Sequence, residues 1–161
     1  MEINAERVIE LVKSVRPLFM DHERASRITV KGAADFVTQV DFLVQERMRS
    51  GLFDMYPQVQ FMGEEKDNRD IDFSGAVWIL DPVDGTTNLI HDFRCSALSL
   101  ALCDRGQMEL GIIYQPYEDE LFLAQRGKGA FLNGNPIHVS SVKDLGQSLI
   151  SIGTSPYNHD L

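Results

Sequence analysis

The stretch Val77-Trp78-Ile79-Leu80-Asp81-Pro82-Val83-Asp84-Gly85-Thr86-Thr87-Asn88 decides the fold. Its first four residues form a short, wholly apolar run of the kind a sheet buries, and the run delivers a carboxylate at its C-terminal end. Pro82 donates no backbone hydrogen bond and Gly85 admits φ > 0, so the strand is expected to end at Asp81-Pro82 in a turn. In a turn, side chains three apart can face one another. Asp81, Asp84 and the carbonyl of Val83 would then offer hard oxygen ligands to one small region, as Mg²⁺ requires. Beyond Gly85, Thr86-Thr87-Asn88 can open a helix whose free N–H groups hold a phosphate. Asp, Pro, Gly, Thr and Asn are also ordinary turn and capping residues, so this fragment alone leaves a plain structural turn open. It does exclude two other sites. A calcium EF-hand loop needs acids at its third and fifth positions, where Val83 and Gly85 stand, and the Asp-x-Asp spacing of an aspartyl-nucleophile phosphatase is out of register.

Working upstream, Val59 to Met62 is a second apolar run, and it leads into Gly63-Glu64-Glu65. Ligands commonly sit at the C-terminal ends of strands in α/β-type sheets. Paired acids at a strand end are otherwise solvated loop residues. If Glu64 approaches Asp81 and Asp84, three carboxylates converge, and their repulsion calls for two or more divalent ions. Further upstream, Val8, Leu11, Val12, Val15, Leu18 and Phe19 recur at three and four and mark one helix face, with a kink or early end at Pro17. Thr29 to Lys31 and Asp35 to Val37 are short extended pieces around Gly32. Thr38 is an expected N-cap for a helix carrying Val40, Leu43, Val44, Met48 and Leu52 up to Tyr56-Pro57. Asp41 falls in its first turn, where the helix dipole favours a carboxylate.

Downstream, Ala97 to Cys103, Met108 to Tyr114, Leu121 to Ala124, Phe131-Leu132 and Ile137 to Val139, with the turn Asn133-Gly134, read as an antiparallel meander. Ser148 to Ile152 starts another apolar extended segment. Cys95 and Cys103, placed on one strand, would lie about 26 Å apart and could not pair, so both are expected as small core residues. His91 tempts as a base but reads as a polar helix residue.

With 161 residues, 43% hydrophobic and 24% charged, the chain can bury roughly 68 to 70% of its unfolded surface as one compact domain. The formal charge of −9 argues against nucleic acid as a direct partner. Nine acids against Lys66 and Arg69 between Asp54 and Asp92 place −7 of that charge in a quarter of the chain, the pattern of a cation site. The opening Met1-Glu2-Ile3 lacks a signal-peptide pattern and no apolar run reaches membrane-span length, so no membrane partner and a cytoplasmic location are expected.

Gly63-Glu64-Glu65 followed by Asp81-Pro82-Val83-Asp84-Gly85-Thr86-Thr87-Asn88 resembles the inositol monophosphatase family of Mg²⁺-dependent, lithium-sensitive phosphatases. Lys31, Asp35-Phe36-Val37-Thr38 and Asp41 are similar to its N-terminal signature, and Gly127-Lys128-Gly129-Ala130-Phe131 with Asn133-Gly134 to its sheet region. The resemblance implies a layered α+β fold (αβαβα), with two N-terminal helices on a mostly antiparallel sheet. It implies that Glu64, Asp81 and the Val83 carbonyl hold one Mg²⁺, that Asp81 bridges to a second shared with Asp84, and that Glu64 helps with a weaker third. Gly85 and Thr86 would receive the phosphate through backbone N–H, Thr86 with Asp41 would orient the attacking water, and Lys31 would lend electrostatic support. The expected reaction is metal-assisted hydrolysis of a small phosphate monoester, an inositol monophosphate or related sugar phosphate, with no covalent enzyme intermediate. Lithium inhibition and homodimerisation are further expectations.

The family's Trp-Asp-x-Ala-Ala-Gly motif, whose Asp completes the second metal site, does not occur in these residues. The expectation is therefore an N-terminal metal- and phosphate-binding region over 1–145 and the start of a truncated C-terminal α/β region over 146–161, binding metal weakly on its own. The competing reading is a weakly active or non-catalytic module that binds a partner or an anion.

Overall fold

In the computed structural model, residues 3–32, 35–64 and 67–151 are described, Lys31 and Asp35 for their backbone only. Helix α1 (Ala5–Lys13) starts where the Asn4 side chain accepts from the Arg7 N–H, and it buries Val8 and Val12. The apolar series of the N-terminus does not continue as one helix. After Ser14, α2 (Arg16–Phe19) begins with Pro17 in its first turn, where a missing N–H costs nothing, and α3 (His22–Ala25) follows from an Asp21 cap. Of the kink or early end expected at Pro17 the structure shows the early end, with Val15 and Phe19 still buried beside Val8 and Val12.

Strands β1 (Ile28–Gly32) and β2 (Asp35–Thr38) pair antiparallel as a separate hairpin. Thr38 ends β2 and caps α4 (Gln39–Met55) in a reciprocal capping box with Asp41, as the sequence predicts for the cap. Val40, Val44, Met48 and Leu52 form its buried face. Gly51 faces α1 closely: a Cβ there would stand 2.6 Å from Leu11 Cδ1, so that side chain would have to shift.

The remaining strands form a seven-stranded sheet in the order β3-β4-β5-β6-β7-β8-β9. They are β3 (Gln60–Gly63), β4 (Ala76–Asp84), β5 (Ala97–Asp104), β6 (Gln107–Gln115), β7 (Glu120–Gln125), β8 (Gly129–Leu132) and β9 (Asn135–Ile137). Only β3 and β4 pair parallel, so the sheet is mixed and mostly antiparallel. Asn133 (φ 48°) and Gly134 (φ 80°) make the tight turn between β8 and β9, both left-handed as such a two-residue turn demands.

Alternation along the strands divides the sheet into two faces. Trp78, Leu80, Leu98, Leu100, Leu102, Leu110, Ile112, Tyr114 and Leu121 pack against the helices in one core. The other face carries Ala101, Gly111 and Ala124 in one cross-strand row and Ser99, Ile113 and Phe122 in the next. Lys13 Nζ reaches Asp119 Oδ1 at 3.1 Å, and the same oxygen accepts from the Tyr114 hydroxyl at 2.8 Å, tying α1 to the turn between β6 and β7.

Four expectations need correction. Strand β4 does not stop at Asp81-Pro82 but runs to Asp84, because a register shift between Asp81 and Asp84 gives Pro82 a bulge in which no ladder bond is required of it. Cys95 precedes β5 and is exposed, whereas Cys103 is buried; both are free. The last meander strand is Asn135–Ile137, and Val139 is 96% exposed. Ser148 is extended (φ −94°, ψ 142°) after a short 3-10 turn, yet Ser148 to Ser151 forms no strand, since no neighbouring strand offers it a ladder; Leu149 is fully exposed. Ile152 lies outside the described residues.

Candidate active site

Parallel pairing of β3 with β4 builds the site. Gly63 is opposite Leu80, and the Glu64 N–H donates to the Leu80 carbonyl at 3.2 Å, so the residues that follow, Glu64 and Asp81, leave the sheet side by side. Their carboxyl groups share a hydrogen bond. Burial and the Glu64 charge, with a smaller push from Asp84, raise the Asp81 pKa to about 7 against a small opposing pull from the Val83 N–H. The repulsion between the two carboxylates is what a bound cation would offset. Gly63 packs closely under the pair: a Cβ on it would fall 2.3 Å from Gln45 Oε1 on α4.

The bulge then redirects the chain. A regular strand sends side chains three apart to opposite faces. The extra residue resets that alternation, and Asp84 comes within electrostatic reach of Asp81. Asp81 Oδ1 accepts from the Val83 N–H at 3.1 Å, closing a local turn. Gly85 is left-handed (φ 87°) and caps α5 (Thr86–Ile90). A Cβ there would meet the Cys95 carbonyl at 3.0 Å and Asn88 Nδ2 at 3.1 Å, so both conformation and space require glycine.

Thr86 joins this turn to α4. Its hydroxyl stands 3.1 Å from Asp41 Oδ1 and 3.1 Å from the Val83 carbonyl. Asp41 Oδ2 accepts from the Thr38 N–H at 2.8 Å and the Thr38 hydroxyl at 2.6 Å, so this carboxylate, 2% exposed, is fully hydrogen-bonded. The described residues with buried polar or charged side chains are Thr38, Asp41, Gln45 and Ser96, and all four surround this turn or the end of β3.

The structure thus brings together Glu64 with Asp81, and Thr86 with Asp41 and Val83, while Asp84 stays exposed at the turn. Among the described residues no three His, Cys, Asp or Glu side chains close to metal-ligating spacing. The donor set is nonetheless all oxygen, two carboxylates in contact, a third nearby and the Val83 carbonyl, which fits a hard cation such as Mg²⁺. Lys31 lies on β1 with its side chain outside the described residues, as is Glu65. His91 ends α5 as its exposed C-cap, away from these contacts. Sequence reading missed Ser96, whose hydroxyl donates to the Gly85 carbonyl at 2.8 Å; it meets that carbonyl only through tertiary pairing and carries no local signal.

A mixed α+β sheet with carboxylates gathered at the end of its parallel pair, beside a glycine-capped turn, defines a class. The chain belongs to the inositol monophosphatase family, whose family model matches residues 1–161. It is 39% identical over 150 residues to inositol monophosphatase of Dictyostelium discoideum, covering 91% of this chain and 55% of the relative. Among solved structures it is similar to the extragenic suppressor protein suhB of Bartonella henselae, with 32% identity and a TM-score of 0.78 over 86% of this chain and 55% of that one. It is also similar to an IMPase/NADP phosphatase complexed with NADP and Ca²⁺, with 28% identity and a TM-score of 0.70 over 83% of this chain and 49% of the other. The chain spans about half the length of the relatives it matches. Among the described residues no helix is long and apolar enough to cross a membrane.

Proposed function

We propose that these residues form the metal- and phosphate-binding part of a Mg²⁺-dependent phosphomonoesterase acting on a small phosphorylated metabolite, an inositol monophosphate or related sugar phosphate. The observation that carries the reading is the Glu64–Asp81 carboxyl pair standing beside the Gly85–Thr86 turn. Family membership and a Ca²⁺- and NADP-bound relative support it. Glu64, Asp81, Asp84 and the Val83 carbonyl would hold the ions. Bound Mg²⁺ supplies positive charge to the phosphoryl oxygens, the attacking water and the departing alkoxide.

The chain's own groups do the rest. The backbone N–H groups of Gly85 and Thr86 bind the phosphate. Thr86 Oγ1 donates its proton to Asp41 Oδ1 at 3.1 Å, which leaves its lone pairs to accept from a water and turn that water's oxygen toward phosphorus. Asp41, kept in place by Thr38, holds the Thr86 hydroxyl in that orientation. Lys31 would lend the positive charge that its match to the family's N-terminal signature implies. The test is Mg²⁺-dependent release of inorganic phosphate from inositol monophosphate: Asp84→Asn should abolish it, and undiminished release sinks the assignment.

A second reading, a weakly active or non-catalytic module that binds a partner or an anion, is favoured by the chain spanning about half the length of its relatives. Calorimetry with Mg²⁺ and inorganic phosphate separates the two, since the module should show no metal-dependent phosphate binding.

A further inference from the structure

The Gly85 carbonyl is held from two sides. Leu89 N–H donates to it at 3.1 Å as the first helical bond of α5, and the Ser96 hydroxyl donates to it at 2.8 Å from the chain just ahead of β5. That carbonyl belongs to the same planar peptide as the Thr86 N–H, and the two point in opposite directions. Whatever fixes Gly85 O therefore fixes the direction of the Thr86 N–H and the position of the Thr86 Cα. Ser96 is 2% exposed, so no water can take over the bond if the hydroxyl is lost.

The segment that carries Ser96 is itself held, because Asn88 Nδ2 donates to the Cys95 carbonyl at 2.7 Å.

We propose that Ser96 is a positioning residue for Thr86: its hydrogen bond to the Gly85 carbonyl aims the Thr86 N–H at the phosphate and holds the Thr86 hydroxyl against Asp41. This rests on the role given to Thr86 above.

The test compares Ser96→Thr with Ser96→Val, which match in volume and differ by the hydroxyl. Both are read by the Thr86 amide signal in ¹H–¹⁵N NMR, without ligand and then titrated with inorganic phosphate at saturating Mg²⁺, and by kcat and KM for inositol monophosphate release. The Thr variant should keep the wild-type Thr86 signal and stay within about twofold in phosphate affinity and kcat. The Val variant should shift that signal in the ligand-free chain and lose about two- to tenfold in both, the range of one hydrogen bond. Equal Thr86 signals and equal phosphate affinities in the Thr and Val variants overturn the proposal. If wild type neither binds nor releases phosphate, the functional reading fails, and the ligand-free Thr86 signal still decides whether Ser96 positions it.

Discussion

Replacing Thr86 by Val removes one hydroxyl at almost constant volume, and the structure sets the cost. Asp41 Oδ1 loses the donor 3.1 Å away, while Oδ2 keeps both bonds from Thr38. Asp41 is 2% exposed, so water cannot replace the missing donor. A hydrogen bond to a charged group contributes about 1.5–3 kcal/mol, so Thr86→Val should destabilise the chain by about 2 kcal/mol. For a chain of this size that lowers Tm by roughly 4–8 °C. Urea unfolding followed by the emission of Trp78, the single tryptophan and 1% exposed, measures the change. Thr86→Ser should recover most of it. Asp41→Asn combined with Thr86→Val should cost less than the two single changes together, because both break the same bond. Phosphate release should fall with Thr86→Val and return with Thr86→Ser. A Thr86→Val chain within about 0.5 kcal/mol of wild type, the usual range for an uninvolved surface change, would falsify the reasoning.

Asp81→Asn removes one charge from the carboxylate pair, so without metal the variant should be at least as stable as wild type. It should lose the stabilisation by Mg²⁺, about 2.7 kcal/mol at 100 times the dissociation constant, and a full Mg²⁺-induced rise in Tm would refute its role as ligand. Burial first, then the Asp119 carboxylate it bonds, push the Tyr114 hydroxyl up to about 12, so the folded chain keeps a proton that the unfolded chain releases near pH 10. That stability is complete below pH 10 and is lost as pH rises toward 12, by about 2–3 kcal/mol. Tyr114→Phe should lack this alkaline loss; parallel urea-midpoint curves for both proteins from pH 9 to 12 would show the idea to be wrong. Gly85→Ala forces a side chain into φ 87° and against the Cys95 carbonyl, so it should cost about 2 kcal/mol or more and abolish phosphate binding by calorimetry.

What could be read from sequence was local. Thr38 with Asp41 is a capping box within four residues, Asn133-Gly134 a turn within two, and the core positions of α4 recur at helical spacing. Asp81, Gly85 and Thr86 announce a turn by their own backbone chemistry. What could not be read depends on distant partners. Pro82 ends a strand by local rules, yet β5 offers a bulge that absorbs it. Cys95 follows an apolar pattern by composition but precedes the first ladder bond of β5. Pro17 marks a break, and only the packing of α1 and α2 against α4 shows that a new helix begins there. Ser96 is an ordinary residue type until the fold brings its hydroxyl to the Gly85 carbonyl.

The placement of Glu64 and Asp81 on neighbouring parallel strands has a kinetic consequence. The antiparallel strands from β5 onward can zip from short hairpins, but β3 must dock onto β4 across an intervening loop, a slower and costlier closure. That docking pushes two acids into contact, so a divalent ion should accelerate the last stage of refolding rather than merely fasten the finished molecule.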